Sequence, residues 1–175
     1  MLRSITGALL AIAGTVIVTA CSPTFNWRDV RVEPTGLKAQ LPCKPEHNAR
    51  EVPMAGRQVS LEVLGCDTGG ATFAVLTADI GDAARAGEVL AQWKTATLAN
   101  MRSTASREIP FAPRGAQPMR EAVQVVASGQ RADGSAVEGH AAYFAQGARV
   151  FQAVIYSDKL RPEVADAFFS GLQFE

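Results

Sequence analysis

Histidine is scarce in this chain: His47 and His140 are the only two among 175 residues. Nucleophilic and general-base catalysis draws on imidazole more than on any other side chain. Two isolated histidines therefore give an envelope hydrolase little to work with, and no Gly-x-Ser-x-Gly elbow is present. His47 falls in the polar stretch Lys44-Pro45-Glu46-His47-Asn48, which reads as a solvated loop. His140 falls on an expected strand, where a surface hydrogen bond accounts for it. Residues 65–70 are glycine-rich but lack the Gly-Lys-Ser/Thr of a phosphate loop, so a hairpin turn explains them. An excess of charge is also missing: 17 basic residues stand against 17 acidic ones. A nucleic-acid binder normally carries a marked basic surplus, so that class is excluded as an expectation. Nor is there a membrane-spanning run. The longest apolar stretch, Ile5–Val18, falls short of the ~20 residues a spanning helix needs.

What the chain does have is a distinctive start. Arg3 supplies one positive charge, Ile5–Val18 is apolar, and Val18-Thr19-Ala20-Cys21 follows. A cationic opening, a short greasy segment and small residues at the end form a secretory signal. Val18-Thr19-Ala20-Cys21 resembles the lipobox of bacterial lipoproteins. That resemblance implies cleavage after Ala20, a diacylglycerol on the Cys21 sulfur and acylation of the new amine. Two or more acyl chains hold a protein stably at a bilayer, at ~0.8 kcal/mol per buried methylene. The competing reading is ordinary signal cleavage at the same bond, which releases a soluble domain with a free thiol. In Gram-negative lipoproteins an Asp after the cysteine commonly signals inner-membrane retention. Ser22 stands there instead, which implies the outer membrane, facing the periplasm.

Cys21 is one of three cysteines. If lipid consumes it, Cys43 and Cys66 remain in an oxidising compartment, and an even remainder in an exported domain reads as a disulfide. The absence of a Cys-x-x-C spacing speaks against a redox pair. Two thiols with one nearby histidine do not make a metal site, so no metal and no cofactor is expected.

The organisation expected is a signal at residues 1–20, a lipidated N-terminus and tether at 21–36, and one domain at 37–175. Within the tether, Trp27–Val32 suits a first strand or edge segment. Trp27 is expected to rest on the domain rather than in the lipid interface. Leu37–Leu41 suits another short strand. Val59, Leu61 and Val63 alternate with Ser60 and Glu62, the period of a half-buried strand. Glycine turns bracket this strand, and the next runs through Phe73, Val75 and Thr77, so 57–79 predicts a hairpin. Asp82 caps a helix over Ala83–Arg102, with Val89, Leu90, Trp93, Thr97 and Met101 on one face. Trp93, at its middle, is the expected core anchor. After a proline-interrupted stretch, in which Ile109 and Phe111 suit an edge strand, a three-stranded meander is predicted: Ala122–Gln130, Val137–Phe144 and Arg149–Ser157. Asp133-Gly134 and Gln146-Gly147 supply its turns. The last strand is apolar on both faces, so it belongs at the sheet centre with something covering each side. Pro162 then opens a short helix, and Gly171 is expected to end it in a left-handed conformation.

This order predicts an α+β domain: an antiparallel sheet, hairpin plus three-stranded meander, packed with one long helix and a short C-terminal helix. It resembles the PsbP-like α/β sandwich. The stretch RVFQAVIYSDKLRPEVADAFFSGLQF, residues 149–174, is similar to the endings of many bacterial envelope domains. With Cys21, Cys43 and Cys66, the mature chain resembles an uncharacterised family of proteobacterial lipoproteins. The resemblance implies no known activity. Domains of this fold mostly serve as assembly or binding factors, although fold alone does not give function.

Residues 102–120 carry Arg102, Arg107, Arg114 and Arg120 against Glu108 alone, together with Pro110-Phe111-Ala112-Pro113. Arg102, Arg107, Phe111, Arg114 and Arg120 are thus candidates for a partner or lipid contact, set against the plainer reading of a solvated connection. The functional expectation is a non-catalytic binding or scaffolding module for another envelope component. The alternative is a small-molecule carrier, with a pocket between sheet and long helix lined by residues such as Trp93 and Phe151.

Overall fold

A computed structural model describes residues 24–175; the expected signal and Cys21 lie outside the described residues. Two short strands come first, β1 (Arg28–Val32) and β2 (Leu37–Leu41), paired as an antiparallel hairpin. The segment expected to be a tether thus contributes a strand. The far side of β2 receives β10 (Gln173–Phe174), which completes a three-stranded sheet.

Seven further strands form a second antiparallel sheet. They are β3 (Glu46–Met54), β4 (Arg57–Thr68), β5 (Ala71–Asp79), β6 (Ala105–Pro110), β7 (Val123–Gln130), β8 (Ala136–Gln146) and β9 (Arg149–Ser157). Their spatial order is β3-β4-β5-β9-β8-β7-β6. The α+β class is therefore as expected. The hairpin β4–β5 and the meander β7–β8–β9 are both present. They are fused into one sheet by the pairing of β5 with β9, Phe73 opposite Ile155 and Val75 opposite Ala153. Each outer edge carries a strand that lies outside the hairpin-plus-meander plan.

β9 sits fourth of the seven strands, and its alternation explains why. Phe151, Ala153 and Ile155 join one core cluster, while Val150 and Val154 join another on the opposite face. The first cluster is roofed by the small sheet and by α2 (Pro162–Ser170), through Leu37, Leu41, Phe168 and Phe169. Its aromatic rings interlock: Phe144 stacks on Phe151 at 5.1 Å, and Phe73 meets Phe168 edge-on at 5.7 Å. Trp27 lies edge-on to Phe73 at 6.4 Å, so it rests on the domain.

The second cluster is roofed by α1 (Ala86–Asn100), which follows one 3₁₀ turn at Ala83–Arg85. The Asp82 carboxylate accepts the Ala84 N–H at 2.9 Å and starts the turn. Ala86, Val89, Leu90 and Thr97 are the buried residues of α1. Trp93 is only half-buried, so it is a flank of the core and not its anchor. The buried stripe of α1 passes through Val89, Leu90 and Thr97, and Trp93 lies at its edge, beside the Tyr143 ring. At the end of α2, Gly171 has φ −76° rather than a left-handed value. Glycine is needed there for closeness: a Cβ would lie 2.9 Å from the Gln40 Cβ.

Candidate functional site

The half-burial of Trp93 shapes a cleft on the helix-covered face. Its indole lies edge-on to the Tyr143 ring at 6.4 Å. On its other side a cleft of about 400 Å³ opens between α1 and the β3–β4 hairpin. Val52, Met54, Leu61, Val89 and Trp93 give it apolar walls, and Arg50, Gln92 and Asn100 add polar atoms. A volume of this size falls in the range of small-ligand sites, but such sites enclose most of their ligand, whereas this cleft is only partly enclosed.

A buried polar cluster lies between α1 and the sheet, next to Trp93. The Gln152 amide donates to the Thr97 hydroxyl at 3.0 Å and to the Tyr143 hydroxyl at 2.9 Å. Thr97 in turn donates to the Trp93 carbonyl at 3.0 Å. Helix α1 and the central strand are thus tied together. Burial raises both phenols: Tyr143 titrates above its ordinary value despite its hydrogen bonds, and Tyr156, on the same face, is pushed up to about 12.

Beside the cleft runs β3. It pairs with β4 over nine residues and with no strand on its other side among the described residues. Most of its residues are exposed, and only Val52 and Met54 are half-buried. An edge of this kind offers a row of free N–H and C=O groups. β6, at the opposite edge, is exposed throughout and shorter, six residues ending in Pro110.

Trp93 and Phe151 do not line one pocket. Trp93 belongs to the α1 face and Phe151 to the opposite face, because alternation along β9 sends Phe151 away from the helix. His47 is not in a loop. It lies on β3, across from Leu64, and its Nε2 pairs with Glu62 at 2.8 Å. His140 Nε2 pairs with Glu138 at 2.6 Å on β8. Among the described residues neither imidazole is hydrogen-bonded to a serine, threonine or cysteine. Cys43 and Cys66 form a disulfide, with Cα atoms 6.0 Å apart.

The five residues of the 102–120 region are not gathered into one patch. Arg102 follows α1, next to the Met101 carbonyl that accepts the Gln130 N–H at 2.7 Å. Arg114 lies beyond the other end of β6, a strand about 17 Å long at ~3.3 Å per residue. The Arg114 guanidinium donates to the Gln173 side chain at 2.7 Å, and its carbonyl accepts the Phe174 N–H at 2.8 Å. Phe111 packs against Phe144 and Phe169 at 6.2 and 6.0 Å. Both residues thus hold β10 and α2 in place. Arg107, on β6, and Arg120 are exposed.

β3 has no counterpart among the strands expected from the sequence. A signal was present: Val52 and Met54 precede Ala55-Gly56 at two-residue spacing, as Val59 and Leu61 follow it. Among the described residues no helix is long and apolar enough to cross a membrane, and no group of three or more His, Cys, Asp and Glu side chains is disposed to hold a metal. No family model matches the chain, and no curated protein matches it.

Proposed function

We propose that the protein is an exported lipoprotein, anchored through acyl chains on Cys21, that binds an extended segment of another envelope protein along β3 and against Trp93. The anchoring rests on Val18-Thr19-Ala20-Cys21, and on the closure of Cys43 with Cys66, which leaves Cys21 as the odd thiol. The location that follows is the outer membrane, facing the periplasm. The finer fold assignment is a PsbP-like sandwich within the proteobacterial lipoprotein family that the sequence resembles. One observation carries the binding reading: a nine-residue strand, unpaired on one edge among the described residues, lies beside a partly enclosed apolar cleft. Strand addition draws affinity from main-chain hydrogen bonds and specificity from side-chain pockets. No catalytic step is assigned.

The test uses the full-length protein in its own membranes, with a photo-crosslinking residue at Asn48 on β3. A discrete protein adduct, lost in Trp93→Ala, is expected. A second reading, a carrier of a small apolar ligand, rests on the volume of the cleft. A co-purifying small molecule with no protein adduct favours the carrier and overturns the first reading. Cys21→Ser is expected to leave an uncleaved or mislocalised precursor, and unchanged membrane fractionation would contradict the anchor.

A further inference from the structure

The fold begins very close to Cys21. The Thr24 carbonyl accepts the Thr68 hydroxyl at 2.7 Å, and the Asn26 N–H donates to the Pro42 carbonyl at 2.8 Å. Phe25 is lodged beside the Gly69 turn, where a Cβ on Gly69 would lie 2.9 Å from the Phe25 ring, and the Arg161 guanidinium covers that ring at 5.5 Å. Only Ser22 and Pro23 separate Thr24 from Cys21. Three fully extended residues reach about 11 Å, less than the headgroup layer and a domain radius together.

We infer that acylation of Cys21 seats one particular end of the domain on the phospholipid headgroups and turns the other end away. Strand register identifies the seated end. Ala71 lies opposite Ser157, Ser157 opposite Glu138, and Glu138 opposite Ser128. The turn at Gly69-Gly70, the connection Asp158–Arg161 and the turn at 131–135 therefore share the end that holds Phe25. The turns at Gly56 and Gly147 lie at the other end, with Arg114 beyond the last residue of β6.

The contact is set by the short link, with the exposed Arg102 and Lys159 at the same end as a secondary contribution of charge. At the seated end Arg131 is paired with Asp158 at 2.7 Å and Arg161 with Glu163 at 3.5 Å. Orientation should thus persist on uncharged zwitterionic lipid. In this arrangement β3 stands upright from the membrane, since Glu46 pairs with Gly65 near the seated end and Met54 pairs with Arg57 at the far end. A partner segment added to β3 would run along the bilayer normal.

This inference rests on the lipid anchor proposed above, and the test separates the two. Full-length protein is purified from membranes, its N-terminal peptide is weighed, and it is reconstituted in phosphatidylcholine vesicles. A photo-crosslinking residue replaces Lys159 in one sample and Gln146 in another. Lipid adduct at 159 and none at 146 is expected. A spacer of about 15 Gly/Ser residues placed after Ser22, reaching ~20 Å on average, is expected to abolish the preference. Equal adducts at both positions in an acylated, vesicle-bound protein overturn the orientation alone, as does a preference that survives the spacer. Absence of acyl mass with failure to bind vesicles removes the anchor and the orientation together.

Discussion

Gln152, on the central strand, donates its side-chain amide to the Tyr143 hydroxyl at 2.9 Å, and both residues are buried. This bond sits between the sheet and α1, where water cannot replace a lost partner. Tyr143→Phe removes an acceptor and leaves one Gln152 N–H unpaired, which is expected to cost about 1–3 kcal/mol. Gln152→Ala adds a cavity beside Thr97 and should cost more, about 2–4 kcal/mol. Urea unfolding of the two variants checks the ranking. Equal, negligible losses would show that the cluster is not a structural tie.

Both tyrosines of the chain are shifted upward by burial, Tyr156 to about 12. A phenol that resists ionising in the folded state stays protonated while the unfolded chain begins to lose its proton near pH 10. Between pH 10 and 12 the folded state therefore holds more protons, and stability must fall as pH rises, by up to ~1.4 kcal/mol per pH unit for each such group. The expected reading is little phenolate absorbance at pH 10 in the folded protein, followed by a rise that coincides with unfolding. Half-titration of either tyrosine near pH 10 without loss of structure would contradict the burial argument.

The Cys43–Cys66 bridge spans 23 residues of sequence separation. In the chain-entropy account a loop of this size is worth on the order of 3 kcal/mol. Cys43→Ser is expected to lower stability by about that amount, measured by urea unfolding, with no change in fractionation. Alkylation of either thiol in the native, unreduced protein would show the bridge to be absent.

The parts of the fold readable in sequence were those buried on one face or on both. Val59-Ser60-Leu61-Glu62-Val63 alternates because β4 has one face against α1, and β9 reads as central because Val150, Phe151 and Val154 fill both faces. β3 is hard to read because its side chains are mostly exposed, and only Val52 and Met54 at its end mark a hydrophobic period. That weak signal placed His47 in a loop and concealed half of the cleft. The disulfide was legible from three cysteines only once Cys21 was set aside as an expected lipid attachment, leaving Cys43 and Cys66 as an even pair. The arginines of 102–120 looked like one patch because they are neighbours in sequence, whereas β6 carries the chain from one end of the sheet to the other.

Gly129 marks another contact that sequence does not announce. A Cβ there would lie 2.2 Å from the Met101 carbonyl oxygen, a backbone atom already bonded to the Gln130 N–H. Gly129→Ala must push β7 and the end of α1 apart, at an expected cost of about 1–3 kcal/mol. Ser128→Ala, on the exposed neighbouring position, serves as the comparison and should melt close to the parent. Equal melting of both variants would mean that the end of α1 yields freely.

The strand order also has a consequence in time. β9 is the last long strand to be made, yet it is the one that joins β5 to β8. A chain threaded through a membrane from its N-terminus delivers β3–β5 and then β6–β8 as two half-sheets, each with bare apolar faces and no seam between them. Neither can close until Arg149–Ser157 arrives. Pairings so distant in sequence form slowly and expose sticky surfaces meanwhile. A chain delivered in this order, as the proposed export would deliver it, must be sheltered from its neighbours until that strand arrives.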